Sequence, residues 1–226
     1  MHFREKGVGK CGKAIVKPDS FRYHREDKAR RSRAKRGRIG MSIGINQNEE
    51  ELEQCLFDAL IELMRRMPLD KLTVNDLLKQ AHVSRSSFYR RYQDKYDLVN
   101  KSYQKIFDKT LNTFLDGCGW HDSVSAVYQV FQENLFFFQN ALRSHDPNSL
   151  RNYIFQISLN LYAETLKRHG EDVQDWHTMA MLRVHIYGNL ELMCEWVENG
   201  MDKTIDEMIQ LSHDTLPERF KPYFND

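Results

Sequence analysis

Glycine and proline are spread so unevenly along this chain that they constrain its fold class before any motif is read. Six of the 11 Gly precede Gln47; beyond it the 226-residue chain is interrupted only by Gly117, Gly119, Gly170, Gly188, Gly200, Pro68, Pro147, Pro217 and Pro222. The stretches between these breakers carry apolar residues at spacings of three and four, with almost no alternation, which is the period of a helix. Leu52, Leu56, Leu60 and Leu63 share one face of a first segment near 49–66, with Glu49, Glu50 and Glu51 at its start, where a helix dipole favours acids. Short helices are predicted near 73–80 and 84–91, and a longer one near 95–116 is striped by Val99, Tyr103, Ile106, Thr110 and Phe114. Further helices follow near 122–145, 148–169, 174–199 and 203–213; the 174–199 stretch carries Met179, Leu182, Ile186, Leu190, Met193 and Val197. The expected fold is all-α.

The net charge of +1 hides an asymmetry. Residues 1–40 hold 14 Lys and Arg against 4 Asp and Glu, so a basic head of charge +10 precedes an acidic body of charge −9. Residues 1–48 are Gly-rich and lack periodic apolar residues, and are expected to be a disordered extension. Met41 is an alternative start. The head is either an upstream extension without a folded role or an arm that touches DNA phosphates or the minor groove, and the first reading is preferred. The four cysteines, Cys11, Cys55, Cys118 and Cys194, are scattered and form no CxxC pair, as in reduced, cytoplasmic proteins. No apolar run approaches the roughly 18 residues of a membrane span, and the start lacks a secretory core, so no membrane partner is expected.

The segment that carries chemistry is Lys71–Lys101. Thr73 stands where an N-cap belongs, with Asp76 three residues on, a capping-box spacing in which Asp replaces Glu. Val74, Leu77, Leu78 and Ala81 give that short helix a buried face. His82 follows at a position that wants a left-handed backbone, which histidine tolerates better than most residues. Val83 plugs the angle, Ser84 caps the next helix, and Phe88 falls on its buried side. The opposite face presents Arg85, Ser86, Tyr89 and Arg90 with no acidic residue, which suits a DNA major groove. Asp94 can cap the fourth helix. Lys95 sits at its start, where a cation opposes the helix dipole, and is therefore read as a phosphate contact.

These residues together resemble the helix-turn-helix of TetR-type transcriptional regulators. Thr73-Val74, Ala81-His82-Val83-Ser84, Phe88-Tyr89, Asp94-Lys95 and Leu98 follow the order and spacing of that family, over about 49–101. His82 departs from the usual Gly and Tyr92 from the common Phe. The resemblance implies phosphate contacts from Thr73, Tyr89 and Lys95 and positions near base edges for Ser84, Arg85 and Ser86. Gly188, Trp196 and Gly200 are similar to the C-terminal pattern of relatives grouped with the dihydroxyacetone-kinase regulator. The implied architecture is an N-terminal three-helix DNA-binding unit, 49–95, and a larger helical dimerisation and effector domain, 96–226. The implied function is a sequence-specific regulator, expected to be a repressor, acting as a homodimer on palindromic double-stranded DNA. The alternative is a helical protein-interaction adaptor or co-regulator without an operator of its own.

Beyond the motif the signals are weaker. Phe131, Phe138, Tyr153, Tyr162, His185 and Tyr187 are candidates to line an effector pocket for a small molecule, against the default of core packing. A protein co-regulator is the other candidate effector. The histidines show no HExxH or other tight ligand spacing, and there is no GxSxG, no phosphate loop and no Cys–His pairing. No metal, cofactor or enzymatic activity is expected. The 174–199 and 203–213 helices are expected to pair with their copies in a second chain, with Ala180, Leu192 and Trp196 available to the partner.

Overall fold

The computed structural model describes residues 44–115 and 119–224, with backbone only for 44–48, Ile106 and 109–115. Every regular element in these residues is helical: α1 Gly44–Met64, a 3-10 turn Leu69–Lys71, α2 Val74–Ala81, α3 Arg85–Tyr89, α4 Lys95–Leu115, α5 Trp120–Glu133, α6 Leu135–Ala141, α7 Leu150–Arg168, α8 Trp176–Glu198, α9 Ile205–Asp214 and a second 3-10 turn Lys221–Tyr223. The basic head, 1–40, with Met41 and Cys118, lies outside the described residues, as do the side chains of Ile106, Thr110 and Phe114.

Helix α1 starts earlier than its apolar pattern suggests, so 44–48 belong to it and not to the extension. The acids at 49–51 are then inside the helix, where the dipole argument loses its force. Glu49 instead pairs with Arg91 at 2.8 Å and Glu53 with Lys105 at 2.6 Å, tying α1 to the end of α3 and to α4. The single helix expected at 122–145 is two. Asn134 breaks it at φ −127°, ψ 34°, and its side-chain amide donates to the Val130 carbonyl at 3.0 Å, competing with the backbone for that acceptor. The break aims Phe137 at Phe57 of α1 (5.5 Å between centroids) while Phe138 packs on Phe131 at 4.2 Å.

One hydrophobic core runs from α1 to the C-terminal turn. Leu56, Leu60, Leu77, Phe88, Leu98 and Val99 form its first part and are completely buried. Each such side chain contributes about 1.5–3 kcal/mol relative to exposure. Asn140 of α6 joins this part to the rest: its oxygen accepts from Leu69 N–H at 3.0 Å and its amide donates to the Met64 carbonyl at 3.1 Å. It thus satisfies a carbonyl left free at the end of α1.

Trp196, expected at a subunit contact, is buried in its own chain. Its indole N–H donates to the Lys203 carbonyl at 2.9 Å and its ring packs on Tyr128 at 5.5 Å. The exposed side of α8 carries Trp176, Val184, Tyr187 and Leu192 instead, with Leu211 on α9. No described helix is long and apolar enough to cross a membrane.

Candidate nucleic-acid interface

The turn between α2 and α3 forms as its residue types require. Thr73 Oγ1 accepts from Asp76 N–H at 3.2 Å and donates to Asp76 Oδ2 at 2.6 Å, while Thr73 N–H reaches the same carboxylate at 3.0 Å. The capping box is complete with Asp in the Glu position, and these bonds hold the Asp76 carboxyl below its usual range. His82 ends α2 at φ 56°, ψ 39°, the left-handed conformation, and Val83 N–H closes the turn on the Leu78 carbonyl at 3.1 Å. Ser84 caps α3 by accepting from Ser87 N–H at 3.1 Å. Phe88 is fully buried, with Tyr92 at 5.4 Å, and anchors the short helix to the core.

The outer face carries Thr73, Ser84, Arg85, Ser86, Tyr89 and Arg90, all exposed. Tyr89 is 53% exposed, a large aromatic surface without a cover in this chain. The cations on α3 and the segments beside it divide into two groups. Arg91 is paired with Glu49, Lys105 with Glu53, and Lys101 with Asp97 at 3.1 Å and the Arg91 carbonyl at 2.5 Å. Arg85 and Arg90 have no ion pair among the described residues. The Arg85 guanidinium donates to Asn75 Oδ1 at 2.6 Å, so an α2 side chain aims it without neutralising it. Asn75 escapes sequence reasoning because the contact spans ten residues and two helices; its only trace is an amide on the outer face of α2.

Lys95 is the correction. Its ammonium donates to the carbonyls of Leu69 (2.8 Å), Asp70 (2.7 Å) and Leu72 (2.8 Å), and it lies 4.8 Å from the Tyr96 ring centroid. A lysine ammonium has three N–H donors, and all three are occupied. The side chain turns away from the start of its own helix to the carbonyl end of the 3-10 turn, where a cation is favoured. The reason for reading it as a phosphate contact therefore fails. Burial lowers its pKa, opposed by Asp70, Asp146 and Asp94. Asp94 does cap α4, accepting from Asp97 N–H at 2.8 Å.

A second feature lies in the other unit. A cavity of about 120 Å³ opens between α4, α5, α7, α8 and α9. Of the residues expected at an effector pocket, Tyr162 and His185 line it. Phe131 and Phe138 do not, because they are fully buried against each other; Tyr153 packs edge-on to Tyr103; and Tyr187 is 56% exposed on α8, stacked on Phe155 at 3.9 Å. Tyr103, Trp120, Tyr128 and Asn189 line it as well. Their place depends on which way α5, split at Asn134, crosses α4, and no local pattern records that. His185 is 5% exposed; burial lowers its pKa, and Asn189 Nδ2 lies 3.1 Å from its Nδ1. No group of side chains suited to a metal ion occurs among the described residues.

Two family profiles match in succession: residues 56–101 match "Bacterial regulatory proteins, tetR family", and 119–217 match "Transcriptional regulator C-terminal region". The chain is similar to the HTH-type dhaKLM operon transcriptional activator DhaS of Lactococcus lactis subsp. lactis (strain IL1403), 23% identical over 87 residues, which is 38% of this chain and 46% of the relative. The match thus spans about half the length of that curated relative. Among solved structures, one titled as the dihydroxyacetone kinase operon activator DhaS superposes with a TM-score of 0.50 and 17% identity over 77% of this chain and 98% of its own. That likeness bears on the fold alone. A Thermus thermophilus FadR, titled as a repressor in complex with lauroyl-CoA, gives 0.47 and 20% over 73% of this chain and 92% of its own.

Proposed function

The chain belongs to the TetR family of transcriptional regulators, and from that premise we propose that it binds palindromic DNA as a homodimer, with α3 in the major groove. The observation that carries this reading is the division of cations. Arg91, Lys95, Lys101 and Lys105 are committed to partners in the chain, while Arg85 and Arg90 stand unneutralised beside Tyr89 on the exposed face of α3. Arg85, aimed by Asn75, is assigned to base edges with Ser84 and Ser86. Tyr89, Arg90 and Thr73 are assigned to the backbone, which positions the domain without reading sequence. Residues from α1 to the start of α4 form the DNA-binding unit in this reading, and α5–α9 the regulatory unit.

The dimer contact in this reading lies on α8. Val184 is 76% exposed and Tyr187 and Leu192 share its side of the helix, with Gly188 between them. A glycine inside a helix costs about 1 kcal/mol relative to alanine, and a Cβ at Gly188 would meet nothing within 4 Å in this chain. A second helix approaching closely there gives that glycine a reason. Two copies of α8 and α9 then form a four-helix bundle and hold the recognition helices about 34–36 Å apart. The cavity supports reading the regulatory unit as a ligand-controlled element, and the relatives support a regulator, not an enzyme. Whether occupancy raises or lowers transcription depends on where the operator lies relative to its promoter.

Selection of bound fragments from a random DNA pool tests the reading, with sedimentation of the free protein beside it. A recovered palindrome and a dimer are the expected results. A monomer that selects no common sequence overturns it.

A further inference from the structure

The cavity has a chemistry specific enough to choose among ligands. None of its described lining residues is Asp, Glu, Lys or Arg. The walls are apolar and aromatic, from Phe107, Trp120, Val124, Ile154, Leu190 and Met193 among others. Into these walls are set phenols from three different helices: Tyr103 on α4, Tyr128 on α5 and Tyr162 on α7, exposed by only 2%, 9% and 7%. Tyr128 lies near enough to the other two to oppose their ionisation, and burial pushes its own pKa up to about 12, so all three remain protonated donors at neutral pH. Ser212 lies beside the Tyr162 hydroxyl and eases its ionisation, against the larger effect of burial. The hydroxyls of Tyr103 and Tyr128 have no hydrogen-bond partner among the described residues, yet neither is sealed from open space as an orphaned buried atom. They are donors open to a mostly apolar cavity, where an acceptor on an occupant can meet them.

We propose that this cavity binds a small neutral molecule, about the size of a single carbocycle, through a carbonyl or hydroxyl oxygen that accepts from Tyr103 and Tyr128. The inference rests on the reading of the cavity as a regulatory site and names the class of molecule that fills it. Size sets the first limit: an apolar cavity of roughly 150 Å³ holds one benzene, so about 120 Å³ seats a ring or a short chain beside the phenols. Charge sets the second, because an ionised ligand would meet no counter-ion among the described lining residues. Donor geometry sets the third, since one carbonyl oxygen has two lone pairs and can serve both phenols. Tyr103 lies two turns along α4 from Lys95, so the occupant touches the helix that is pinned to the DNA-binding unit.

The test uses the full chain without DNA and cyclopentanone as the probe, followed by saturation-transfer NMR. Cyclopentanone is expected to bind about tenfold more tightly than methylenecyclopentane, which has the same shape without the oxygen. Tyr103→Phe and Tyr128→Phe, each checked for an unchanged unfolding transition, are each expected to weaken it about fivefold, as the loss of one hydrogen bond requires. Cyclopentylamine, protonated at neutral pH, and dodecanoate are expected not to compete. No transfer to the folded wild-type chain, equal affinity for the hydrocarbon, unchanged affinity in both Phe variants, or competition by either ion would each overturn the proposal. The hydrocarbon comparison needs no variant, so it decides the matter even where a Phe variant fails to fold. A chain that selects its palindrome and fails here loses the ligand reading alone; one that binds cyclopentanone and selects no DNA loses the regulator reading alone.

Discussion

Replacing Lys95 by Met separates a structural lysine from a DNA-contacting one. The substitution keeps most of the aliphatic stem and removes the ammonium that holds the carbonyls of Leu69, Asp70 and Leu72 at 2.7–2.8 Å. A hydrogen bond from a charged donor is worth about 1.5–3 kcal/mol, but the three do not sum. The Asp70 carbonyl is exposed and recovers a water, and the mutant no longer has to strip water from an ammonium. The Leu69 and Leu72 bonds are partly buried and dominate the loss, so a net cost of about 2–4 kcal/mol is expected. In a chain of this size that lowers the unfolding midpoint by roughly 5–15 °C. Thermal unfolding followed by circular dichroism measures it, and DNA affinity at several salt concentrations, taken well below the midpoint, supplies the second axis. The salt dependence of binding is expected to keep its slope, because no phosphate contact has been removed. A Lys95→Met protein with an unchanged midpoint, weaker binding and a slope reduced by about one unit would show that the ammonium meets phosphate, and the anchoring argument would be wrong.

Arg85→Ala is expected to change which bases are selected at one position of each half-site, at a cost of about 1–3 kcal/mol; Asn75→Ala, which frees the guanidinium without removing it, should weaken specific binding less and leave non-specific binding alone, as competition on operator and random DNA will reveal. Val184→Glu and Tyr187→Glu should split the dimer in sedimentation with helical content retained, whereas Trp196→Ala, made at a residue only 3% exposed, should destabilise the chain by about 3–5 kcal/mol in urea. His185 gives a pH signature. Its folded pKa lies below the ordinary 6.5 because of burial, so the unfolded chain takes up the proton first and stability falls as pH drops below about 6.5 towards the folded value. His185→Gln should flatten that part of the stability profile, and an unchanged slope would mean the ring titrates freely.

What could be read without coordinates followed from local rules. Thr73 with Asp76 three residues on, a left-handed residue at His82, a serine cap at Ser84 and an apolar Phe88 are short-range requirements, and each was legible as a residue type at a fixed offset. The charge on α3 was legible for the same reason. Lys95 was read from its position at the start of α4, while its ammonium lies, in space, at the end of another element 23–26 residues earlier. The cavity was half legible. Tyr162 and His185 were named as pocket candidates and line it, but Phe131 and Phe138 were named with them and are core, a difference that follows from the break at Asn134. Tyr187 is exposed and Trp196 buried, the reverse of expectation, because both fall near the boundary of the apolar stripe of α8, where an angular error of one residue reverses inside and outside.

The side chain of Asn140 has a consequence for how the two units can be watched. The Leu69 N–H has no carbonyl of its own helix or turn to bond; its acceptor is an amide oxygen borrowed from α6. Its exchange with deuterated solvent is therefore governed by whether α6 stays docked and not by fraying of the 3-10 turn. The neighbouring Leu72 N–H, bonded to the Leu69 carbonyl at 3.1 Å, reports the turn itself. A pair of amides three residues apart thus forms an internal clock and its reference. Any molecule that loosens the joint between the DNA-binding and regulatory units should quicken the first and leave the second unchanged, and the ratio of the two rates reads the opening of the hinge in a protein that remains folded throughout.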